Sequence, residues 1–134
     1  MICIGIDPGT HTGYAAWDME RNQLSAVSTL KIHKAMAFVL EVHYSGLLHS
    51  VTFEDARLRR WLGNKGREAL QGAGSIKRDC AIWADFLGDH GITYRAVAPQ
   101  AGATKWGAEQ FAKAFGWTGR TSEHARDAAL LVVR

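Results

Sequence analysis

Residues 1–13, MICIGIDPGTHTG, decide the fold of this chain. Isoleucines alternate with small residues from Ile2 to Ile6, so both faces of the segment are apolar, as in a central strand that is covered on both sides. The strand runs into Asp7, and Pro8-Gly9 then turn the chain. Two interpretations of Asp7 are open. It is either an ordinary turn residue or a carboxylate held at the end of a sheet, where it can bind a metal ion.

The composition indicates one folded domain, residues 1–134, since 47% of the residues are hydrophobic and only 22% are charged. The net charge of +3 is compatible with a polyanionic partner. Cys3 and Cys80 fall in a predicted strand and a predicted helix, which favours buried free thiols in a reducing compartment. The sequence shows neither a signal-peptide pattern nor an apolar run long enough to span a membrane. We therefore expect a cytoplasmic protein without a membrane partner.

Alternating and helical periodicities predict the order β-β-β-α-β-α-β-α-α. The first three strands, separated by short turns, form an antiparallel meander. The predicted strands are Ile2–Ile6, Gly13–Asp18, Leu24–Leu30, Val51–Glu54 and Ile92–Ala98. The predicted helices are His33–Leu48, Ile76–His90 and Ala103–Phe115. A last helix, capped by Thr121 or Ser122, runs to the C-terminus. We therefore expect an α/β fold with a mixed five-stranded sheet flanked by helices.

Acidic residues end two of the predicted strands. Asp7 ends the first strand and Glu54 ends the fourth, so their carboxylates meet at one sheet edge if the strands are neighbours. Alternation along the strand turns Asp55 away from Glu54. In the last helix, EHARDAALL, His124 and Asp127 are three residues apart and project from one face. Each residue alone also fits a solvated surface position, so the prediction of a site rests on the combination.

Three carboxylates and an imidazole that converge in an apolar setting repel and desolvate one another unless a cation is present. Hard oxygen ligands suit Mg²⁺, and the imidazole makes Mn²⁺ acceptable as well. Two such ions, about 3.5–4 Å apart, can activate a water molecule and stabilise the leaving oxygen of a phosphodiester. The combination therefore predicts a two-ion phosphodiesterase site.

A basic segment directly follows Glu54. Between Asp55 and Cys80 seven positive residues oppose three acids, for a local net charge of 7 − 3 = +4. One interpretation is a solvated loop. The other, favoured by the neighbouring acids and by Gly63, Gly66, Gly72 and Gly74, is a flexible segment that contacts DNA phosphates. The candidate DNA-binding residues are Arg57, Arg59, Arg60, Lys65, Arg67, Lys77 and Arg78.

The segments IGIDPGTHTGYAAWD, VTFEDARLRR, GAGSIKRDCAIWADFL, YRAVAPQAGATKW and SEHARDAALL together resemble the RuvC-type Holliday junction resolvases of the ribonuclease H-like superfamily. The resemblance implies a homodimeric, metal-dependent endonuclease that makes paired nicks in four-way DNA junctions without a small-molecule cofactor. It implies metal ligation by Asp7, Glu54, His124 and Asp127. Lys105 falls on a basic position that lies near the scissile phosphate in the family.

The sequence departs from the family in two respects. It is short, as a compact viral member would be, and such a protein would act in the host cytoplasm. Three positions after Glu54, where the family often has an aromatic residue that splays the junction centre, this chain has Arg57. Trp61 is a second candidate for that role, because tryptophan can stack on a base, and it equally fits a packed position.

Other functions are less consistent with the sequence. A ribosomal-RNA-processing nuclease of the same superfamily has this length and a similar first motif, but it lacks the strand-end glutamate followed by a basic run. An ATP-dependent phosphotransferase needs a second domain and a second phosphate motif after a strand, whereas Asp89-His90-Gly91 follows a helix. A non-catalytic module that binds branched DNA would be expected to have lost at least one of the acids. The ribosomal-RNA-processing nuclease and the non-catalytic module stay open as alternatives.

Overall fold

The computed structural model describes residues 1–59, 67–99 and 105–133, with side chains from residue 72 onward in the second range. The elements follow the predicted order. The strands are β1 (Ile2–Asp7), β2 (His11–Asp18), β3 (Gln23–Lys31), β4 (Leu48–Glu54) and β5 (Tyr94–Val97). The helices are α1 (Ile32–Tyr44), α2 (Arg67–Asp89), α3 (Ala108–Phe115) and α4 (Glu123–Leu130), with a short 3₁₀ turn, Ala56–Leu58, after β4.

The five strands form one mixed sheet in the order β3-β2-β1-β4-β5. The pairs β1–β2 and β2–β3 are antiparallel, whereas β4 and β5 extend the sheet in parallel pairings beside β1. The expected meander and the mixed α/β architecture are therefore confirmed. β1 lies at the centre of this order, which explains why both of its faces are apolar.

Two groups of buried residues cover the opposite faces of the sheet. On one face, alternate strand residues such as Ile4, Ile6 and Phe53 pack with Val39 of α1 and Trp83 of α2. On the other face, Cys3, Ala15 and Trp17 pack with Phe111 of α3 and with the alanines Ala125, Ala128 and Ala129 of α4. The sheet thus forms the middle of three layers, and its two faces contact different helices.

Several predicted boundaries were wrong. α1 ends at Tyr44 rather than at Leu48, because Gly46 has a left-handed φ of 80° and Leu48 begins β4. α2 begins at Arg67, so Gly72 and Gly74 lie inside a helix and do not belong to a flexible loop. α3 begins at Ala108 instead of Ala103, and residues 105–107 precede it in an extended segment. α4 ends at Leu130, before the C-terminus.

Both cysteines are buried and unpaired, as the sequence predicts. Cys3, in β1, faces α4, and Cys80, in α2, faces the sheet. Over the described ranges, no helix is long and apolar enough to cross a membrane.

Candidate active site

The side chains of Asp7 and Glu54 point to the same face of the sheet. Ile6 pairs with Phe53 in the parallel β1–β4 register, and both side chains belong to the core beneath α1 and α2. Because side chains alternate along a strand, the next residue of each strand turns toward the α3–α4 face. Asp7 and Glu54 are therefore neighbours at the carboxyl end of two adjacent strands, as the sequence predicts.

Two glycines allow α4 to approach this end of the sheet. A Cβ atom at Gly13 would lie 2.0 Å from the His124 carbonyl oxygen, and one at Gly5 would lie 2.1 Å from the Ala128 carbonyl oxygen. The backbone of α4 thus lies directly on the glycine surfaces of β1 and β2, one helical turn apart. Ser122 caps this helix by accepting a hydrogen bond from the Ala125 N–H. Sequence analysis missed the two glycines, although glycine inside a strand is a known signal of close backbone approach.

This approach brings His124 to Asp7. The Nδ1 atom of His124 lies 3.0 Å from Oδ2 of Asp7, at hydrogen-bond distance. The Asp7 side chain is only 15% exposed, whereas 56% of the His124 side chain faces solvent. The pair therefore joins a partly desolvated carboxylate to an imidazole that remains accessible.

Asp127, one turn along α4, contacts the predicted basic residue of the site. The Nζ atom of Lys105 donates to Oδ2 of Asp127 at 2.7 Å and lies 3.5 Å from Oε1 of Glu123. Contact with Asp127 raises the pKa of Lys105 above its ordinary value. Lys105, which the resemblance places near the scissile phosphate, thus lies beside Asp127 and Glu123 in the structure.

Arg126 fixes the segment that carries Lys105. Its Nε donates to the Trp106 carbonyl oxygen at 2.8 Å, and its Nη1 donates to the carbonyl oxygen of Thr121 at 2.7 Å and to the hydroxyl at 3.0 Å. One guanidinium therefore ties the residue after Lys105 to the start of α4. Sequence analysis did not identify this role, because the two backbone contacts involve residues 20 and 5 positions away.

Burial and mutual repulsion act together on the carboxylates. Desolvation raises the pKa of Asp7, and the hydrogen bond from His124 opposes this effect while the charge of Asp127 adds to it. The pKa of Glu54 is also raised, first by burial and then by the charges of Asp7 and Asp127. The three acids therefore interact electrostatically, and the negative charge concentrated at this end of the sheet favours the binding of a cation.

The same side chains are already paired with one another inside the protein. His124 occupies one oxygen of Asp7 and Lys105 occupies one oxygen of Asp127. Over the described ranges, no group of three or more histidine, cysteine or acidic side chains is gathered closely enough to form a preassembled metal site. Lys105 and His124 therefore each engage one oxygen of a candidate metal ligand in this structure.

Asp55 and Arg57 form a separate ion pair on the opposite side of the strand. Asp55 is buried, and it accepts from Arg57 Nη2 at 2.8 Å, from Nε at 2.9 and 3.2 Å, and from the backbone N–H at 3.0 Å. These hydrogen bonds lower the pKa of Asp55. The alternation prediction that only one acid of the pair joins the cluster is confirmed. Arg57, proposed from the sequence for DNA binding, uses two of its nitrogens on Asp55.

The other basic candidates divide between described and undescribed positions. Arg59, Lys77 and Arg78 are exposed, and Arg59 is close enough to Glu54 to lower its pKa. Lys77 and Arg78 lie on α2, next to Cys80, whose Sγ is 3.6 Å from the Glu54 carbonyl oxygen. Arg60, Lys65 and the candidate stacking residue Trp61 lie outside the described residues. The backbone of Arg67 is described as part of α2, but its side chain is not.

Comparison with known proteins gives a strong structural similarity. No protein-family model matches the chain, and no curated protein matches it. Among solved structures, the chain is similar to RuvC of T. thermophilus in complex with a Holliday junction substrate, with a TM-score of 0.63 and 21% sequence identity. The match covers 99% of this chain and 90% of that one. Together with the sheet order and the two helical layers, it shows that this chain has a RuvC-like, ribonuclease H-like α/β fold.

Proposed function

We propose that the protein is a divalent-metal-dependent endonuclease that cleaves phosphodiester bonds in branched DNA and resolves four-way junctions by paired nicks. One observation carries the proposal: Asp7, Glu54 and Asp127, from three separate elements, interact at one end of the sheet. The structural neighbour, which was solved with a Holliday junction, supports DNA as the substrate.

The donor set fits Mg²⁺, and Mn²⁺ as a second choice. Asp7, Glu54 and Asp127 offer carboxylate oxygens, the ligands that Mg²⁺ prefers, and His124 adds a nitrogen that Mn²⁺ accepts. The raised pKa values of Asp7 and Glu54 show that negative charge is costly here without a counter-ion. We infer that these four residues would hold two ions per site. When bound, such ions supply an activated water molecule and stabilise the leaving oxygen.

Lys105 and His124 change partners in this proposal. Lys105 neutralises Asp127 in the protein alone and, once released, can face the phosphate that is being cleaved and offset its developing charge. His124 can leave Asp7 because its ring is exposed, and it acts as a ligand only in the neutral form. Both side chains thus serve as internal partners of the carboxylates before metal and substrate arrive.

The basic residues supply DNA affinity. Arg59, Lys77 and Arg78 are exposed near the Glu54 end of the sheet and can contact backbone phosphates, as can the basic residues 60, 65 and 67. Symmetric nicking of a four-way junction needs two active sites, so we propose that the enzyme acts as a homodimer. Arg57 contributes less to DNA contact in this proposal, because Asp55 holds it.

The proposal is tested by mapping nicks in an end-labelled four-way junction with Mg²⁺ or Mn²⁺, beside linear duplex, flap and structured-RNA controls. Paired symmetric nicks near the branch point are expected. Asp7→Asn should abolish cutting while junction binding stays measurable. Cutting of RNA alone would indicate an RNA-processing nuclease, and binding without cutting by the wild type would indicate a non-catalytic module.

A further inference from the structure

A polar cavity of about 300 Å³ opens beside the start of α4, against the edge strand β3. The proposed catalytic mechanism does not use it. Five of its six lining residues carry a hydroxyl or a guanidinium, and none is acidic. The lining residues are Ser28, Thr29, Arg120, Thr121, Ser122 and Ala125.

The hydroxyl groups of the cavity retain donors for a ligand. The Thr29 and Ser122 hydroxyls bond to each other, which uses one of their two hydrogens. The Ser122 oxygen also accepts from the Ala125 N–H, and the Thr121 oxygen accepts from Arg126. Each hydroxyl has only one hydrogen. The Thr121 hydrogen and one hydrogen of the Thr29–Ser122 pair therefore remain available, so this part of the cavity offers two donors.

Arg120 adds a fixed positive charge to the same cavity. Its side chain is exposed, and it forms no ion pair with any residue that the structure describes. The nearest acid along the chain, Glu123, is paired with Lys105. The cavity offers free hydroxyl donors and a guanidinium, and none of its lining residues is acidic. It is therefore complementary to an oxyanion, and guanidinium is well suited to phosphate.

The sheet register gives the distance between this cavity and the candidate active site. Asp7 pairs with Gly13, and Gly13 pairs with Thr29, so the three residues lie in one row across β1, β2 and β3. Directly opposed residues of antiparallel strands share a face, so Thr29 faces the α4 side, as Asp7 does. Two strand spacings amount to roughly 10 Å. At this separation, the cavity and the candidate active site can contact nearby phosphates of one DNA strand.

We propose that this cavity binds a backbone phosphate of the DNA substrate, within a few nucleotides of the bond that is cleaved. The inference rests on the proposed function and extends it. Arg120 and the hydroxyls of Thr29, Thr121 and Ser122 would hold the strand in register, so that the scissile phosphate reaches Asp7. Arg126 and the Ser122 cap fix the hydroxyls of Thr121 and Ser122 relative to α4, which carries His124 and Asp127.

The first test measures the affinity of a fluorescent four-way junction for the full-length wild type, Arg120→Gln and a matched control, Arg21→Gln, in EDTA over a range of salt concentrations. Arg21 is also an exposed arginine, but it lies in the β2–β3 turn at the other end of the hairpin. Arg120→Gln should weaken binding about tenfold and reduce the salt slope by about 0.9, as expected for one lost phosphate contact. Arg21→Gln should match the wild type. Thr29→Val, which removes one hydroxyl without changing the charge, should weaken binding while preserving the salt slope.

The second test replaces single phosphates of the junction with neutral methylphosphonates. The wild type should lose affinity when one particular phosphate within a few nucleotides of the nick is replaced, and Arg120→Gln should show no further loss there. This dependence of the methylphosphonate effect on Arg120 would show that the cavity contacts that DNA phosphate. A cavity that binds only free phosphate would show no such dependence. Equal affinities and slopes for Arg120→Gln and Arg21→Gln would overturn the inference while leaving the proposed function intact. Failure of the folded wild type to bind any junction would instead reject the proposed function, and the inference with it.

Discussion

The close approach of α4 to the sheet makes Gly13→Ala the most informative substitution. An alanine Cβ would lie 2.0 Å from the His124 carbonyl oxygen and 2.5 Å from its carbon. Cβ atoms essentially never come within 3.0 Å of another heavy atom, so the backbone must separate by at least 3.0 − 2.0 = 1.0 Å. Neither contact atom belongs to a flexible side chain. We therefore expect the first turn of α4 to move away from β2.

This displacement should affect activity more than folding. A shift of about 1 Å in a positioned catalytic group can cost about 100-fold in rate, and His124 lies directly above Gly13 while Asp127 lies on the next turn. Overpacking of this kind costs about 1–3 kcal/mol, or roughly 4 °C in Tm for each kcal/mol in a domain of this size. Gly13→Ala should therefore remain folded below its lowered Tm and cleave about 100-fold more slowly.

The assay is single-turnover junction cleavage at a temperature at which circular dichroism shows each variant to be folded. Gly88→Ala is the matched control, because Gly88 lies in α2 with no atom within 4 Å of the added Cβ. It should cleave at the wild-type rate and gain about 0.5–1 kcal/mol in stability, because alanine favours the helix. Gly5→Ala should resemble Gly13→Ala, since it meets the same helix one turn further on. A folded Gly13→Ala variant with the wild-type cleavage rate would refute the view that α4 must be held this closely for catalysis.

Three further outcomes are expected. Arg57→Ala should lower the free energy of unfolding by about 2 kcal/mol at pH 7, because it leaves buried Asp55 unpaired. Folding lowers the pKa of Asp55, so this loss should fade on acidification through that pKa. Urea unfolding that shows an equal loss at pH 7 and pH 3 would contradict the reasoning. Glu54→Gln should raise the Tm of the metal-free protein at pH 7, because it removes a charge that burial and neighbouring acids disfavour; an unchanged or lower Tm by calorimetry would count against the electrostatic account. Lys105→Met should reduce the cleavage rate about 100-fold, with junction affinity nearly retained. Lys105→Arg should keep part of the cleavage rate. A wild-type cleavage rate in the methionine variant would show that Lys105 does not belong to the active site.

The local pattern of residues was enough to predict the layered fold. Alternation from Ile2 to Ile6 identifies a strand that is buried on both faces, and the same period of two separates Glu54 from Asp55. The structure confirms both predictions, as well as the order of the elements. These features depend on periodicity along one segment, and periodicity is independent of what the segment later contacts.

The helix boundaries illustrate where local patterns are insufficient. Glycine lowers helix propensity by only about 1 kcal/mol, so Gly72 and Gly74 did not prevent α2 from beginning at Arg67. Conversely, the apolar residues Leu47 and Leu48 fit the helical period of α1, but Leu48 pairs with Ile2 in the sheet. In the second case, a contact between distant segments outweighed local preference.

The sequence by itself identified the candidate side chains for the proposed chemistry, namely the acids at the ends of β1 and β4 and the His-x-x-Asp pair of α4. Only the tertiary structure decided their partners. Lys105 meets Asp127 across 22 residues, and Gly13 admits the backbone of His124. The physical reason is that such contacts depend on the distance between elements far apart in the chain, which packing sets and which no local period encodes.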